Sequence, residues 1–263
     1  MISTVLFFAS LIIEIISMFI LSGYFFRDYA VRKRWESLAW GLGFLLYSSN
    51  FIYLTIYLFS ELTSSYYLIG YTTVWMLLIA VVFGMTLLYY GASLIIFSPG
   101  SFFREKILVL IIPIYLILVY YFIKTSLFLL EEVPFLERPI LATPVFFAIA
   151  TLFYNVFRKR DLDNHARRAS LIMSLAWYLI AISSGLMALI IHFDILGTFF
   201  LIVQNFQSIT WIFAVYSIVF RKTFVLIQER EQQNKSQILI CPRCKNRIQK
   251  DWTVCPYCKA RLR

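Results

Sequence analysis

Long apolar stretches, separated by short polar segments, dominate the first 220 residues of the chain. In the first of them, STVLFFASLIIEIISMFILSGYFF at 3–26, Glu14 is the single charged residue. A helix of about 20 apolar residues crosses the hydrocarbon core of a bilayer. Only 14% of the chain is charged, whereas soluble domains carry about 25%. The sequence therefore predicts an all-α polytopic membrane protein.

Seven segments have the length and composition of transmembrane helices, which predicts a seven-helix transmembrane bundle over 1–220. The third segment is long, and its sequence fits either one long helix or a helix with a broken end near Gly91. Pro113 and Pro144 lie inside the fourth and fifth segments, where membrane helices tolerate proline. The predicted spans are approximately 3–26, 38–59, 67–97, 107–129, 140–157, 170–192 and 196–220.

The basic residues predict the orientation of this bundle. All of the 24 lysines and arginines except Lys124 and Arg138 lie in loops or tails on one side of the seven predicted spans. Cytoplasmic segments are enriched in Lys and Arg. We therefore expect an integral protein of the cell membrane with its N-terminus outside and its C-terminus in the cytoplasm. The apolar run at the N-terminus has no basic region before it, which favours a retained helix over a cleaved signal peptide.

All four cysteines lie in the polar C-terminal tail, as two C-x2-C pairs separated by ten residues. Each C-x2-C turn brings two thiolates to one metal, and two such turns complete a tetrahedral site that suits zinc. Disulfides are rare in the cytoplasm. We predict one structural zinc ion; a single iron ion and a redox dithiol are the alternatives. The expected ligands are Cys241, Cys244, Cys255 and Cys258.

The tail resembles the short zinc-ribbon family, whose members read C-P-x-C, about ten residues, and C-P-x-C again. Here these motifs are CPRC and CPYC, with Pro242 and Pro256 at the family's proline positions and Trp252 before the second pair. The resemblance implies two knuckles on short β-hairpins over 237–263, and a module that contacts proteins or nucleic acids.

The tail departs from the family's pattern at two positions. Family members often have glycine after the second cysteine of each pair, where this chain has Lys245 and Lys259. We take residues 221–236 as a cytoplasmic connector, either helical or a plain linker.

Most of the net charge of +10 lies in the tail, where eleven basic residues and three acidic residues follow position 220. This charge indicates either attraction to anionic lipid, nucleic acid or an acidic protein, or the usual basic flank of a membrane protein. A cytoplasmic protein is the expected partner, with nucleic acid as the alternative. The residues that we expect to contact a partner or phosphate are Arg243, Lys245, Arg247, Lys250, Lys259, Arg261 and Arg263.

Several polar residues fall inside predicted spans, where they are costly and therefore informative. Gln204 and Ser208 share a helix face because they are four residues apart. One interpretation is a pocket for a polar ligand or ion anchored by Glu14; the other is a set of interhelical hydrogen bonds around a protonated Glu14. The candidate set is Glu14, Asn50, Ser183, Ser184, Gln204, Asn205, Gln207 and Ser208.

The motifs of several enzyme classes are missing from the sequence. It contains no HExxH, no G-x-S-x-G and no P-loop, and the seventh span has no lysine that could bind retinal. We therefore expect neither catalysis nor a retinal cofactor.

Two short segments hint at an internal repeat. Leu38-Ala39-Trp40 opens the second span and Leu175-Ala176-Trp177 lies in the sixth. The two spans would correspond if spans 1–3 and spans 5–7 formed a parallel repeat on either side of the fourth span, as in some transporters.

The helix number and orientation also loosely resemble the seven-helix sensory regions of prokaryotic signalling proteins, which is an analogy of fold. The expected function is a non-enzymatic sensor or scaffold whose zinc ribbon binds a partner. The alternative is a small-solute transporter or channel with a regulatory ribbon.

Overall fold

Six α-helices of the computed structural model have described bounds. They are α1 (Ile2–Arg32), α2 (Trp35–Leu62), α3 (Tyr71–Ile96), α4 (Thr143–Arg158), α5 (Asn164–His192) and α6 (Thr198–Val215). π-Helical turns follow α3 at Phe102–Lys106 and α6 at Tyr216–Phe220. The tail contributes the strands β1 (Ile238–Ile240) and β2 (Arg247–Gln249). The structure describes residues 2–62, 71–97, 100–107, 110, 113–117, 120, 141–158, 164–192, 198–220, 238–241, 244, 247–249 and 257–261.

Four helical segments in this part of the chain are long and apolar enough to cross a membrane. Three of them lie in α1, α3 and α5, and the fourth runs through α6 into the following π-helical turn. These segments correspond to the first, third, sixth and seventh predicted spans. Their presence indicates a membrane protein. The four segments are Val5–Arg32, Met76–Ile96, Asn164–Met187 and Phe199–Val219.

The other predicted spans are less uniform. The 28-residue helix α2 occupies the second predicted span and contains three consecutive polar residues, Ser48, Ser49 and Asn50. The hydroxyls of Ser48 and Ser49 donate to the carbonyls of residues 45 and 46 in their own helix, which shields them from an apolar environment. Helix α4 has 16 residues. In the fourth predicted span, residues 107, 110, 113–117 and 120 are helical and the others lie outside the described residues.

Two details of the predicted helices are settled by the structure. Helix α1 continues to Arg32, well beyond the expected end at residue 26. Asp28 stabilises this extension, because it forms an ion pair with Arg32 and accepts a hydrogen bond from the Ser37 hydroxyl of α2. Helix α3 runs through Gly91 without a break. From residue 71 onward, the third span is therefore one long helix, as the first of the two interpretations predicted.

The six helices form a ring in chain order, closed by contact between α6 and α1. Every neighbouring pair packs extensively except α3 and α4, which touch over a much smaller area. The tightest contact joins α2 and α3, where Gly43 and Gly84 face each other. A Cβ added at Gly84 would lie 2.8 Å from the backbone nitrogen of Tyr47. Small residues thus bring two backbones together, as is common between membrane helices.

Aromatic side chains fill the centre of this ring. Trp40, Trp177 and Trp211 are fully buried, and they come from α2, α5 and α6. The ring centroids of Trp40 and Trp177 are 5.3 Å apart, and those of Trp177 and Trp211 are 6.2 Å apart. Phe44 stacks on Trp177 at 6.1 Å, and Phe146 of α4 lies 5.3 Å from the same ring. We call these five residues the aromatic core.

The distribution of polar residues is the reverse of that in a soluble protein. Glu14, Gln204 and Gln207 are completely buried, whereas Ile16 and Ile209 on the same helices are more than half exposed. Soluble proteins rarely expose large continuous apolar surfaces. An outer surface of this kind is suited to lipid.

Candidate functional site

A cluster of buried polar side chains joins the first and last of the six helices. Gln204 of α6 donates from Nε2 to Oε1 of Glu14 in α1, at 3.0 Å. Ser208, one turn further along α6, donates to the same oxygen at 3.2 Å. The Ser208 hydroxyl is also 3.2 Å from the carbonyl oxygen of Ser10. The i, i+4 spacing in α6 thus aims two neutral donors at a single carboxyl oxygen.

A second pair lies between α5 and α6. Gln207 donates from Nε2 to the hydroxyl oxygen of Ser184 at 3.3 Å, and both side chains are completely buried. Because α6 contributes Gln204 and Ser208 to one neighbour and Gln207 to the other, its polar residues connect α1, α5 and α6.

Two of the remaining candidate residues bond within their own helices. Ser183 is buried and donates to the Ile180 carbonyl of its own helix. Asn205 is half-buried and its amide donates to the Leu201 carbonyl one turn earlier. Asn50 is buried in α2. The pattern of polar residues along a span therefore did not distinguish those that face a neighbouring helix from those that bond to their own backbone.

The cluster is equipped for two kinds of chemistry. Its hydrogen bonds hold three helices together, and a buried carboxyl group can also take up a proton or pair with a cation. Gln204 adds an acceptor, since its Oε1 is buried and has no hydrogen-bond partner among the described residues.

Sequence reasoning missed that the repeated tryptophans meet in the aromatic core. Both lie in a four-residue SLAW segment, 37–40 in α2 and 174–177 in α5, in which Ser, Ala and Trp are buried. Each serine donates a hydrogen bond to the preceding helix, Ser37 to Asp28 of α1 and Ser174 to the Ala150 carbonyl of α4. The identical four residues were the available signal.

Three of the four cysteines converge in the tail. The sulfur atoms of Cys241, Cys244 and Cys258 all lie within 4.8 Å of one another, and Cys241 is completely buried. Cys255 lies outside the described residues. The Sγ atoms of Cys241 and Cys258 are 3.6 Å apart, too far for a disulfide, whose S–S bond is about 2.05 Å.

The spacing of these sulfur atoms fits a metal site. Tetrahedral zinc with Zn–S distances of about 2.3 Å places its sulfur ligands about 3.8 Å apart. The 3.6 Å separation is close to this value, although the two residues are 17 positions apart in sequence. The cluster can therefore hold a metal ion.

The backbone near both groups of described cysteines has a local geometry that matches the knuckle motif. β1 and β2 are antiparallel, with Leu239 opposite Ile248, so the connection that carries Cys241 and Cys244 is a hairpin. Lys259, which follows Cys258, has φ of 54°, in the left-handed region that favours glycine. This is one of the two positions at which the zinc-ribbon family that the tail resembles often has glycine.

The expected partner contacts are described only in part. Lys259 and Arg261 are exposed. The backbone of Arg247 belongs to β2. The other four residues of the set, Arg243, Lys245, Lys250 and Arg263, lie outside the described residues, as does the connector 221–236.

The chain matches no family model, no curated protein and no solved structure.

Proposed function

We propose that the chain is a seven-helix membrane protein, a non-enzymatic sensor or scaffold, whose C-terminal zinc ribbon binds a cytoplasmic protein. The observation that carries this proposal is the convergence of Cys241, Cys244 and Cys258 on one point. A tail of 27 residues buries too little surface to fold alone, so metal binding has to supply much of its folding free energy.

In this proposal the metal is one zinc ion and Cys255 is its fourth ligand. Four thiolates close the coordination sphere and leave no position for substrate or water, which makes the site structural. The folded ribbon then offers a rigid surface with exposed basic residues, including Lys259 and Arg261.

The proposed orientation follows from the positive-inside rule, with the N-terminus outside the cell and the tail in the cytoplasm. Arg27, Arg32 and Lys33 lie at the end of α1 on the proposed cytoplasmic side. Arg158 at the end of α4 and Arg167 early in α5 lie on the same side when the helices alternate in direction.

The aromatic core favours a sensor or scaffold over a transporter. Its rings occupy the centre of the helix ring, where a transport path between the two sides would run. The bonds of Glu14 to Gln204 and Ser208 fit a polar group that fixes the bundle. A sensor of this type would transmit a change in the bundle through α6 and the connector to the ribbon.

One observation favours the alternative of a small-solute transporter or channel. The SLAW segments 37–40 and 174–177 lie in the middle helix of each set of three, α1 to α3 and α4 to α6. Their tryptophans touch at the centre. Transporters are often built from such repeats, with the substrate site at the repeat interface.

Crosslinking pull-downs of the full chain from its membrane test the proposal. The variant Cys241→Ser/Cys244→Ser removes two ligands, and Lys259→Gln/Arg261→Gln is a matched double substitution that keeps the thiolates. We expect the cysteine variant to lose specific protein partners, and the charge variant to keep its zinc and bind the same partners more weakly. Identical partner sets for wild type and the cysteine variant would contradict a ribbon that binds proteins.

The charge variant also separates the classes of partner. One result would favour electrostatic binding by the tail instead. In it, Lys259→Gln/Arg261→Gln loses crosslinks to lipid or nucleic acid, while the cysteine variant keeps its protein crosslinks.

A further inference from the structure

The limited contact between α3 and α4 leaves a cavity of about 790 Å³. Its walls are formed by α3, by the π-helical turn Phe102–Lys106, by α4 and by described residues of the fourth predicted span, among them Ile107 and Ile114. Sites for small molecules have volumes of about 300–1,000 Å³.

The cavity is suited to a hydrocarbon chain. Leucine, isoleucine, valine and phenylalanine form most of its wall, and the hydroxyls of Tyr89 and Thr151 are already bonded to protein. Tyr89 donates to the Phe103 carbonyl at 2.9 Å, and Thr151 donates to the Phe147 carbonyl at 2.8 Å. A polar ligand would therefore find few groups to bind along these walls.

The length of the cavity along α4 agrees with the thickness of one leaflet of a bilayer. On α4 the lining extends from Pro144 to Asn155, which is about 16 Å at about 1.5 Å per residue. The hydrocarbon core of a bilayer is about 30 Å thick. An acyl chain that enters from the membrane surface would thus run along the cavity.

Arg104 lies beside the wall of this cavity, in the π-helical turn that carries the lining residue Phe103. Its neighbour Phe103 lines the wall and stacks on Phe97, another wall residue, at a centroid distance of 5.6 Å. The Nη1 atom of Arg104 is 3.5 Å from the Phe97 carbonyl oxygen, a long hydrogen bond. Its Nε is buried and has no hydrogen-bond partner within the described part of the chain.

From these observations we propose that the cavity between α3 and α4 binds an anionic phospholipid, with one acyl chain inside and the phosphate on Arg104. A guanidinium group is well matched to phosphate, which accepts two of its N–H groups. Lys106, exposed in the same π-helical turn, adds positive charge at the headgroup level. The site requires only that the bundle lies in a membrane, and it does not depend on the zinc ribbon.

Native mass spectrometry of the purified full chain tests this site by titration with phosphatidylglycerol, phosphatidylcholine and oleate. Both phospholipids present a phosphate, but the choline of phosphatidylcholine neutralises its charge beside Arg104 and Lys106. We therefore expect one phosphatidylglycerol to bind about tenfold more tightly than phosphatidylcholine. Arg104→Gln should abolish this preference, whereas Arg27→Gln, at an exposed arginine near the end of α1, which does not line the cavity, should keep it. Equal binding of the two phospholipids by wild type, a preference that survives Arg104→Gln, or oleate binding as tight as phosphatidylglycerol would overturn the proposal.

The position of the acyl chain needs a separate measurement. Ala148 lines the cavity, so Ala148→Trp should fill it and lower phosphatidylglycerol binding, while Ile209→Trp on the exposed face of α6 should not. A phosphatidylglycerol with a photoreactive acyl chain avoids any dependence on the folding of these variants. We expect it to label α4 between residues 144 and 155 in preference to α6. Even labelling of both helices would place the lipid in the general annulus and refute the site.

Discussion

Replacement of Glu14 separates a structural from a functional role for the buried polar cluster. Its Oε1 accepts hydrogen bonds from Gln204 at 3.0 Å and from Ser208 at 3.2 Å. Glu14→Gln keeps an acceptor oxygen in the same place, so both bonds can persist. Glu14→Leu has a similar volume and removes the acceptor.

The structure sets the size of the effect. Without Glu14, the Ser208 hydroxyl still has the carbonyls of Ser10 at 3.2 Å and Gln204 at 3.1 Å as acceptors. The loss therefore falls mainly on the buried amide of Gln204. Hydrogen bonds between membrane helices contribute about 0.6 kcal/mol on average and about 1.7 kcal/mol at most, and a buried unsatisfied donor costs about 1–3 kcal/mol. We expect Glu14→Leu to lower the free energy of unfolding by about 1–2 kcal/mol, and Glu14→Gln by less than about 0.5 kcal/mol.

Unfolding of the full chain in mixed micelles with increasing SDS measures these values. Trp40, Trp177 and Trp211 are buried, so their fluorescence reports the transition. The double variant Glu14→Leu/Gln204→Leu removes both partners and should lose less than the sum of the single variants. Additive losses, or a Glu14→Gln as unstable as Glu14→Leu, would refute the hydrogen-bonding account. If Glu14 anchors a ligand or ion, Glu14→Gln should remain stable and yet lose the response to it.

Two further predictions concern single backbone positions. A Cβ at Gly91 would lie 2.0 Å from Cδ1 of Trp40, which is held in the aromatic core, so Gly91→Ala should destabilise the bundle by about 1–3 kcal/mol. In the control Gly23→Ala, the added Cβ has nothing within 4 Å, so the melting temperature should stay unchanged or rise. Equal melting temperatures for the two variants would contradict the close packing of α2 and α3. In the tail, Lys259→Gly should relieve the left-handed backbone at φ 54°, a gain of about 1 kcal/mol. It should slow metal loss to a chelator about fivefold, unlike the control Ala260→Gly, and an unchanged rate would argue against strain at this position.

The sequence was most informative where physical constraints act locally. Helix length and apolar composition predicted the positions of α1, α3, α5 and α6 because a membrane span requires both. The two C-x2-C pairs predicted a thiolate cluster because each turn of four residues brings two thiolates close together. Likewise, the i, i+4 spacing of Gln204 and Ser208 predicted that they share a helix face, and in the structure that face meets Glu14.

The polar set was expected to converge, but which of its members touch across helices was beyond this reasoning. Glu14 and Gln204 are 190 positions apart, and nothing in either span indicates that α1 and α6 are neighbours. The aromatic core was missed for another reason. In a helix that is apolar all round, periodicity does not distinguish the core face from the lipid face, so Phe44 and Trp211 look like any other aromatic residues. For the same reason Asn205, which bonds to its own helix, was grouped with the polar residues that bond across helices.

The metal content of the intact, purified chain tests the central claim most directly, namely that one zinc ion held by four thiolates folds the tail. Inductively coupled plasma mass spectrometry should find about one zinc per chain, since structural zinc binds with about 10–16 kcal/mol of apparent free energy in small modules. Zinc should fall to background in Cys241→Ser. Iron in place of zinc, no bound metal, or zinc that persists in Cys241→Ser would contradict the account.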